Sequence, residues 1–289
     1  MKSFLNGVRV LDLTARLPGP LATYCLSLSG AEVTKIENSD WGEDPFKENL
    51  SGLENFQDWY RNLNKDKTIE IISFKDNQSR LIDAIESSEI IIAPHSKRIK
   101  KLILERARGS CVFLDSSQTL GGMHDLNALA VTKTFALHLI ESIAPPYLPF
   151  AGISFGQLLA QQALAAYIAN RQSGKFEYDT IYLDESAKLI LDSLYSSFGP
   201  KVLHNGLFPC YNIYLLADGG HVALAAVEEH YWAEFNQVFN LNLTSEERLD
   251  TTGVTQEKIR NLFTNLTTNE IKEKLKNRQF CLTLIDKNN

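Results

Sequence analysis

His124 and Asp125 stand side by side in the run Gly121-Gly122-Met123-His124-Asp125-Leu126-Asn127, and together they are residue types that can move a proton. An imidazole takes up and returns protons near neutral pH, and an adjacent carboxylate can orient the ring or carry charge itself. The same pair also fits an ordinary helix start, with Asp125 as the N-cap of the stretch Leu126 to Ile140 and His124 as the residue before it. A second constellation, Gly152-Ile153-Ser154-Phe155-Gly156, spells the G-x-S-x-G of a serine-hydrolase nucleophile elbow. A triad would need a later acid, Asp179 or Asp184, and a histidine from among His204, His221 and His230. Against it, Pro145, Pro146 and Pro149 occupy the place of the buried strand that an elbow needs. Ser154, with Gln157 three residues on and the apolar run Leu158 to Ile168 behind it, fits a capping box better.

The elements that would position these residues begin with Val8 to Leu13, a short apolar strand. A Pro-Gly-Pro turn at Pro18 to Pro20 follows, then a helix from Leu21 to Ser29 and, after Gly30, a second strand from Ala31 to Glu37. Strand, helix, strand in this order builds a parallel sheet. Glu37 falls where a dinucleotide-binding fold holds a ribose, but the turn has Gly19 alone and lacks G-x-G-x-x-G, so nicotinamide and flavin are not expected. Cys111 to Asp115 is another apolar strand, and Pro200 to Asn205 a linker.

Composition removes several classes. With 29 basic against 35 acidic residues in a 289-residue chain, net charge is −6, and the short cluster Lys97 to Lys101 reads as a solvated helix face rather than a nucleic-acid patch. Cys25, Cys111, Cys210 and Cys281 lie far apart, which suggests neither zinc nor a disulfide framework. No apolar run is long enough to span a bilayer, and the N-terminus lacks a signal-peptide core. These features lead to the expectation of a cytoplasmic protein without membrane or nucleic-acid partners.

Three phrases in order carry a resemblance: Leu5-Asn6-Gly7-Val8-Arg9-Val10-Leu11-Asp12-Leu13, then Leu17-Pro18-Gly19-Pro20-Leu21-Ala22, then Gly30-Ala31-Glu32-Val33-Thr34-Lys35-Ile36-Glu37. Together they resemble the start of the family III CoA-transferases (CaiB/BaiF), which include the alpha-methylacyl-CoA racemases. Asn64 to Ile71 is similar to the family's next phrase, a basic turn into a strand, and Ile82 to Ala93 to the following helix and strand. Phe208 to Leu224 resembles the first hairpin of the family's small domain, Thr255 to Gln279 two helices, and Phe280 to Ile285 a final strand. The resemblance implies an α/β protein: a Rossmann-like CoA-binding large domain over 1–200 and a small α+β domain over 201–289. In the family a return segment beyond that strand interlocks two subunits; here the sequence ends at Asn289, so a homodimer is expected without assurance of interlocking.

The resemblance also implies roles. His124 takes the position of the general base, and Glu228, in Val227-Glu228-Glu229-His230, that of the carboxylate paired with it, although Glu228 also suits the opening of a helix. Lys35 sits where relatives place a basic residue toward the CoA phosphates, or is a surface charge at a strand end. Pro94-His95-Ser96-Lys97-Arg98 replaces the family's Arg-Pro-Gly phrase, with Arg98 as the substitute cation and His95 as a loop residue. Ser154 falls where relatives carry the aspartate that is the second base of racemases and the acyl-carrying nucleophile of transferases. The expected function is proton transfer alpha to a CoA thioester, with coenzyme A entering as part of the substrate and no tightly bound cofactor or metal. The alternatives are a non-catalytic family member that binds a partner or acyl-CoA, and a thioesterase-like hydrolase using Ser154.

Overall fold

The computed structural model describes residues 3–42, 44–47, 55–119, 122–134, 148–194, 203–276, 278 and 280–285. Its described elements fall into two compact units.

The first unit is built on a six-stranded sheet: β1 (Arg9–Asp12), β2 (Glu32–Asn38), β3 (Thr68–Ile72), β4 (Ile90–Pro94), β5 (Ser110–Asp115) and β6 (Glu177–Tyr182). The order is β3-β2-β1-β4-β5-β6 and every pairing is parallel. This is the doubly wound order, whose direction reverses between β1 and β4 and leaves a crevice at their carboxyl ends. Strands covered on both faces read as continuous apolar runs. Ile90 to Ala93 is such a run, with each residue fully buried. Leu11, Ile91, Cys111 and Phe113 face one side, where they pack with Leu81 and Ile85 of α3 (Gln78–Ser87) and with Ile99 and Ile103 of α4 (Lys97–Arg106).

The opposite face is covered by α1 (Pro18–Leu28) and α6 (Phe150–Ser173). Between β2 and β3 lies α2 (Asn55–Asn64), between β5 and α6 lies α5 (Asp125–Val131), and α7 (Leu183–Leu194) follows β6. The Pro-Gly-Pro segment proves to be the first turn of α1 rather than a turn before it. Proline's fixed φ and missing N–H suit that position, where the N–H has no helical partner. α5 begins one residue earlier than expected, and the remainder of the predicted stretch to Ile140 includes residues outside those described. The larger departure is α6, which starts eight residues before the expected Leu158 and runs for 24 residues. Its buried residues Gly152, Phe155, Gly156, Leu159, Ala160 and Ala163 form one stripe. A Cβ on Gly156 would lie 2.9 Å from both the Pro18 carbonyl and Leu21 Cδ2, so these glycines let α1 and α6 approach closely.

The second unit holds an antiparallel sheet, β7 (Tyr211–Leu215), β8 (His221–Ala225) and β9 (Leu282–Ile285), in that order. Gly219, at φ +83°, supplies the left-handed residue of the β7–β8 turn. Helices α8 (Glu229–Phe239), α9 (Val254–Phe263) and α10 (Thr268–Leu275) complete it, around a core of Trp232, Phe235, Phe239, Phe263 and Phe280. The mixed α/β fold, with a Rossmann-like sheet and a separate small antiparallel sheet, is the expected class. Among the described residues, no helix is long and apolar enough to cross a membrane.

Candidate functional site

At the carboxyl end of β1, the strand next to the switch point, a fully buried carboxylate meets two buried lysines. Asp12 Oδ1 accepts from the Thr14 backbone N–H at 2.9 Å and the Thr14 hydroxyl at 2.5 Å, while Oδ2 accepts from Thr23 Oγ1 at 2.6 Å and Lys67 Nζ at 3.1 Å. Lys67 also donates to the Pro20 carbonyl at 2.9 Å and to Asn64 Oδ1 at 2.8 Å. Burial pushes the Asp12 pKa up, but Lys35, Lys67 and the two hydroxyls outweigh it and hold the group well below the usual carboxylate range. Burial pushes Lys67 down, only partly offset by Asp12.

This cluster contains Lys35, and its placement corrects the surface-charge expectation. The side chain is 0 % exposed and Nζ donates to the Thr14 carbonyl, so the ammonium is turned into the end of the sheet and not outward toward a phosphate. Arg98, on the first turn of α4, donates from Nη2 to the Phe74 carbonyl at 2.9 Å and so ties down the loop after β3. Glu37, the ribose position of a dinucleotide fold, has both oxygens occupied, by Tyr60 Oη and Lys47 Nζ, each at 2.6 Å.

The second cluster is open. His124 is exposed and occupies the N-cap position of α5, where its backbone N–H donates to Asn127 Oδ1 at 3.1 Å. The cap position expected for Asp125 therefore belongs to His124. Asp125, the first residue of α5, caps a different helix: its Oδ1 accepts from the Gly152 backbone N–H of α6 at 2.7 Å. A chain contact across 27 residues thus places a half-buried carboxylate on the free N–H groups that start the longest helix. Burial raises the Asp125 pKa, and the Gly152 and Ala151 N–H groups oppose that shift.

Ser154 is the fifth residue of α6, beside its buried stripe. Both local readings of it fail for the same reason. A residue inside the helix cannot cap it, and an elbow needs a sharp turn from strand to helix, whereas Gly152 to Gly156 is continuous helix. Glycines four apart at a helix–helix contact produce the same letters as an elbow. Of the acids proposed for a triad, Asp179 accepts from Gln162 Nε2 at 2.9 Å and Asp184 from Ser117 Oγ at 2.6 Å. Glu228, in the second unit, is exposed and takes the N-cap position of α8, as a helix-opening acid would.

The Asp12 cluster was not anticipated. Its signal was an aspartate inside the apolar run Val8 to Leu13, which a buried strand accepts only when the charge is matched.

Comparison with known proteins is consistent with this architecture. The sequence model of CoA-transferase family III matches residues 5–104 and 142–288. Succinyl-CoA:glutarate CoA-transferase of Mus musculus is 36% identical over 72 residues, which is 25% of this chain and 16% of that protein. An acyl-CoA transferase of Fusarium pseudograminearum is 27% identical over 101 residues, 30% of this chain and 22% of that protein. The alignments thus span less than a quarter of the length of these relatives. Among solved structures, a CAIB/BAIF family protein from Brucella suis superposes with a TM-score of 0.76 at 13% identity, covering 100% of this chain and 85% of that one. Rv3272 from Mycobacterium tuberculosis, described as a hypothetical protein, gives 0.74 at 16% identity, covering 99% and 84%.

Proposed function

Since this chain belongs to CoA-transferase family III, we propose that it acts on an acyl-CoA thioester and that His124 removes the proton alpha to the thioester carbonyl. The supporting observation is the exposed imidazole of His124 beside Asp125, whose carboxylate is fixed 2.7 Å from the Gly152 N–H. A proton alpha to a thioester is weakly acidic, so a base must be positioned on it and the enolate charge must be met by fixed donors. In this reading Glu228 contributes a second carboxylate, and Ser154, lacking one, does not serve as the opposite base. The outcome is exchange of the alpha proton with solvent. Lys35 is held inside the end of the sheet and does not reach the CoA phosphates, which Arg98 meets with the guanidinium N–H groups that the Phe74 carbonyl leaves unused. Coenzyme A is part of the substrate, the working form is a homodimer, and the compartment is the cytoplasm.

The test is solvent deuterium incorporation. Wild-type protein incubated in D2O with a 2-methylacyl-CoA should acquire deuterium at the alpha carbon, and His124→Ala should abolish it. No incorporation in wild-type protein, or equal incorporation in His124→Ala, removes the proposal.

A second reading is favoured by one observation: the carboxylate at the start of α6 is that of Asp125. In acyl transfer it would attack the thioester carbonyl, forming an aspartyl anhydride and expelling CoA thiolate. The curated relatives named above are CoA-transferases, which is compatible with that chemistry. Hydroxylamine trapping decides between the two, since only the anhydride leaves a hydroxamate on Asp125. Protein that supports neither exchange nor trapping but binds acyl-CoA would be a non-catalytic member of the family.

A further inference from the structure

The loop from β1 to α1 is fixed by three buried charged side chains. Lys35 Nζ donates to the Thr14 carbonyl and Lys67 Nζ to the Pro20 carbonyl, the latter at 2.9 Å, so the loop is held at both ends. Between those ends the Arg16 backbone N–H donates to Asp44 Oδ2 at 3.0 Å, while Oδ1 of the same buried carboxylate accepts from the Phe46 N–H at 3.0 Å. Arg16 itself is exposed, and its φ of +67° lies in the left-handed region. Residues other than glycine, asparagine and aspartate rarely take that backbone, and they persist in it only where their surroundings impose it. Here Asp44 and the two lysines impose it. Among the described residues, the Arg16 guanidinium makes no hydrogen bond or ion pair. Three buried groups thus hold out one arginine whose donors the protein itself leaves unused.

This arginine follows the carboxyl end of β1, next to the point where the sheet reverses direction. It also borders the candidate site. A Cβ built on Gly152 would lie 3.2 Å from Leu17 Cδ2 and 3.6 Å from Asp125 Oδ1, so Leu17 and the Asp125 carboxylate flank the same point of α6. Arg16 is the chain neighbour of Leu17. Asp125 does not neutralise it, since that carboxylate accepts from the Gly152 N–H and, among the described residues, no ion pair joins the two. A guanidinium presents its N–H donors in a planar fork that matches a carboxylate, and an unpaired one at a ligand crevice selects for an anion.

We propose that Arg16 is a specificity-determining residue that binds a second carboxylate on the acyl group, so that the thioester taken here is an ω-carboxyacyl-CoA. This rests on the reading that an acyl-CoA thioester is bound beside His124 and Asp125, and it names the acyl group that the reading leaves open. Position selects the acyl end: a cation bordering the Asp125 site is near the thioester, and the charge it meets belongs to the acyl group. A loop fixed at three points adds to affinity, because a prepositioned cation loses less freedom on binding than a mobile one. Asp44 is a positioning residue, since it holds the Arg16 backbone and leaves the ligand to the guanidinium.

Calorimetry on the full chain tests it with succinyl-, glutaryl- and adipoyl-CoA, each against the uncharged thioester of equal chain length, butyryl-, valeryl- or hexanoyl-CoA. In at least one pair the carboxylated member should bind about tenfold tighter, a difference of about 1.4 kcal/mol. Arg16→Gln should abolish that preference by weakening the carboxylated member alone, and Arg16→Lys, a point charge without the fork, should keep part of it. Asp44→Asn leaves one oxygen for two N–H groups and should lower the preference while the uncharged member binds as before; weakening of both members would make Asp44 structural only. Arg16→Gly separates fold from recognition. Glycine takes the left-handed backbone without strain, so this variant should unfold at no lower urea concentration than wild type and still lose the preference. Wild-type protein that binds both members of every pair equally overturns the proposal. So does an Arg16→Gln that weakens both members equally, which would put the guanidinium on coenzyme A itself. Wild-type protein that binds none of these thioesters removes the acyl-CoA reading as well, so the two failures are told apart.

Discussion

Asp12 and Asp125 are both aspartates bonded to groups at or near the start of a helix, yet their surroundings differ in burial and in how many of their oxygens are occupied. Asp12 is sealed at the end of β1 with both oxygens occupied by hydroxyls, a backbone N–H and Lys67. Asp125 is half-buried, bonded through Oδ1 to the Gly152 N–H, and sits next to an exposed histidine. A carboxylate saturated in the interior can hold structure together but has no capacity left for a substrate. A carboxylate fixed at one oxygen and open to solvent retains that capacity. The difference separates a carboxylate wholly committed to the fold from one that keeps an oxygen uncommitted, although residue type looks alike.

The largest effect should come from removing the buried partner. Asp12→Asn removes the buried charge that Lys35 and Lys67 share, leaving Lys67 only the weaker pull of Asp44, and breaking a buried ion pair costs about 3–5 kcal/mol. Lys67→Met should cost less than Asp12→Asn, because Lys35 remains to balance Asp12. Urea unfolding measures both. The reverse order, or a loss under about 1 kcal/mol for Asp12→Asn, would show that the cluster is not the charge lock described.

A second effect follows from the opposite pKa shifts. Asp12 is depressed in the folded state, so its contribution is present above the unfolded pKa of about 3.9 and is lost as pH falls below that value. Asp125 is raised, so the folded state holds its proton more tightly and stability falls as pH rises from about 3.9 through the raised value. Each full proton of difference changes stability by about 1.4 kcal/mol per pH unit. Unfolding free energies from pH 2 to 7 should show that Asp12→Asn flattens the acid limb, whereas Asp125→Asn steepens the net rise above pH 4.

The contrast also explains what the sequence made legible. Strand order and layers were readable because Ile90 to Ala93 and Cys111 to Phe113 are apolar runs that only a sheet covered on both faces accommodates. His124 and Asp125 were readable as a pair because they are adjacent. The link from Asp125 to Gly152 was not, since no local pattern encodes a hydrogen bond across 27 residues. The start of α6 is hidden because Ser154 and Gln157 imitate a capping box, while the real start, at Phe150 after Pro149, has no local capping side chain and is capped instead by the distant Asp125. Lys35 looked like a surface charge because its neutralising partner, Asp12, lies on the adjacent strand and not nearby in sequence.

At Asp125 the structural duty and the proposed chemical one can be separated. Asp125→Ala removes the acceptor for the Gly152 N–H and should cost about 1 kcal/mol, as other helix-cap deletions do. Asp125→Asn retains an oxygen acceptor for that N–H and removes only the charge. Stability near wild type with lost turnover would place the charge in the chemistry. Equal turnover in Asp125→Asn and wild type would reduce Asp125 to a cap, and the comparison with Asp12 would then be one of burial alone.

The smallest expected effect is at Ser154, and it bears on the same distinction. Ser154 lies within α6, off the stripe formed by Gly152, Phe155, Gly156 and Leu159, and it neither caps the helix nor stands on an elbow. Ser154→Ala should change stability by no more than about 0.5 kcal/mol, the usual range for a helix-surface change, and alanine's better helix propensity favours the stabilising sign. Ser154→Asp is the sharper test, because it restores the carboxylate that the family resemblance places there, close in sequence to the Gly152 N–H that Asp125 now occupies. If Asp125 has taken over that duty, the added charge brings no gain in alpha-proton exchange and raises the Asp125 pKa further by like-charge repulsion. A gain of tenfold or more would show instead that the open cluster lacks its second base, and that Ser154 is where it is missing.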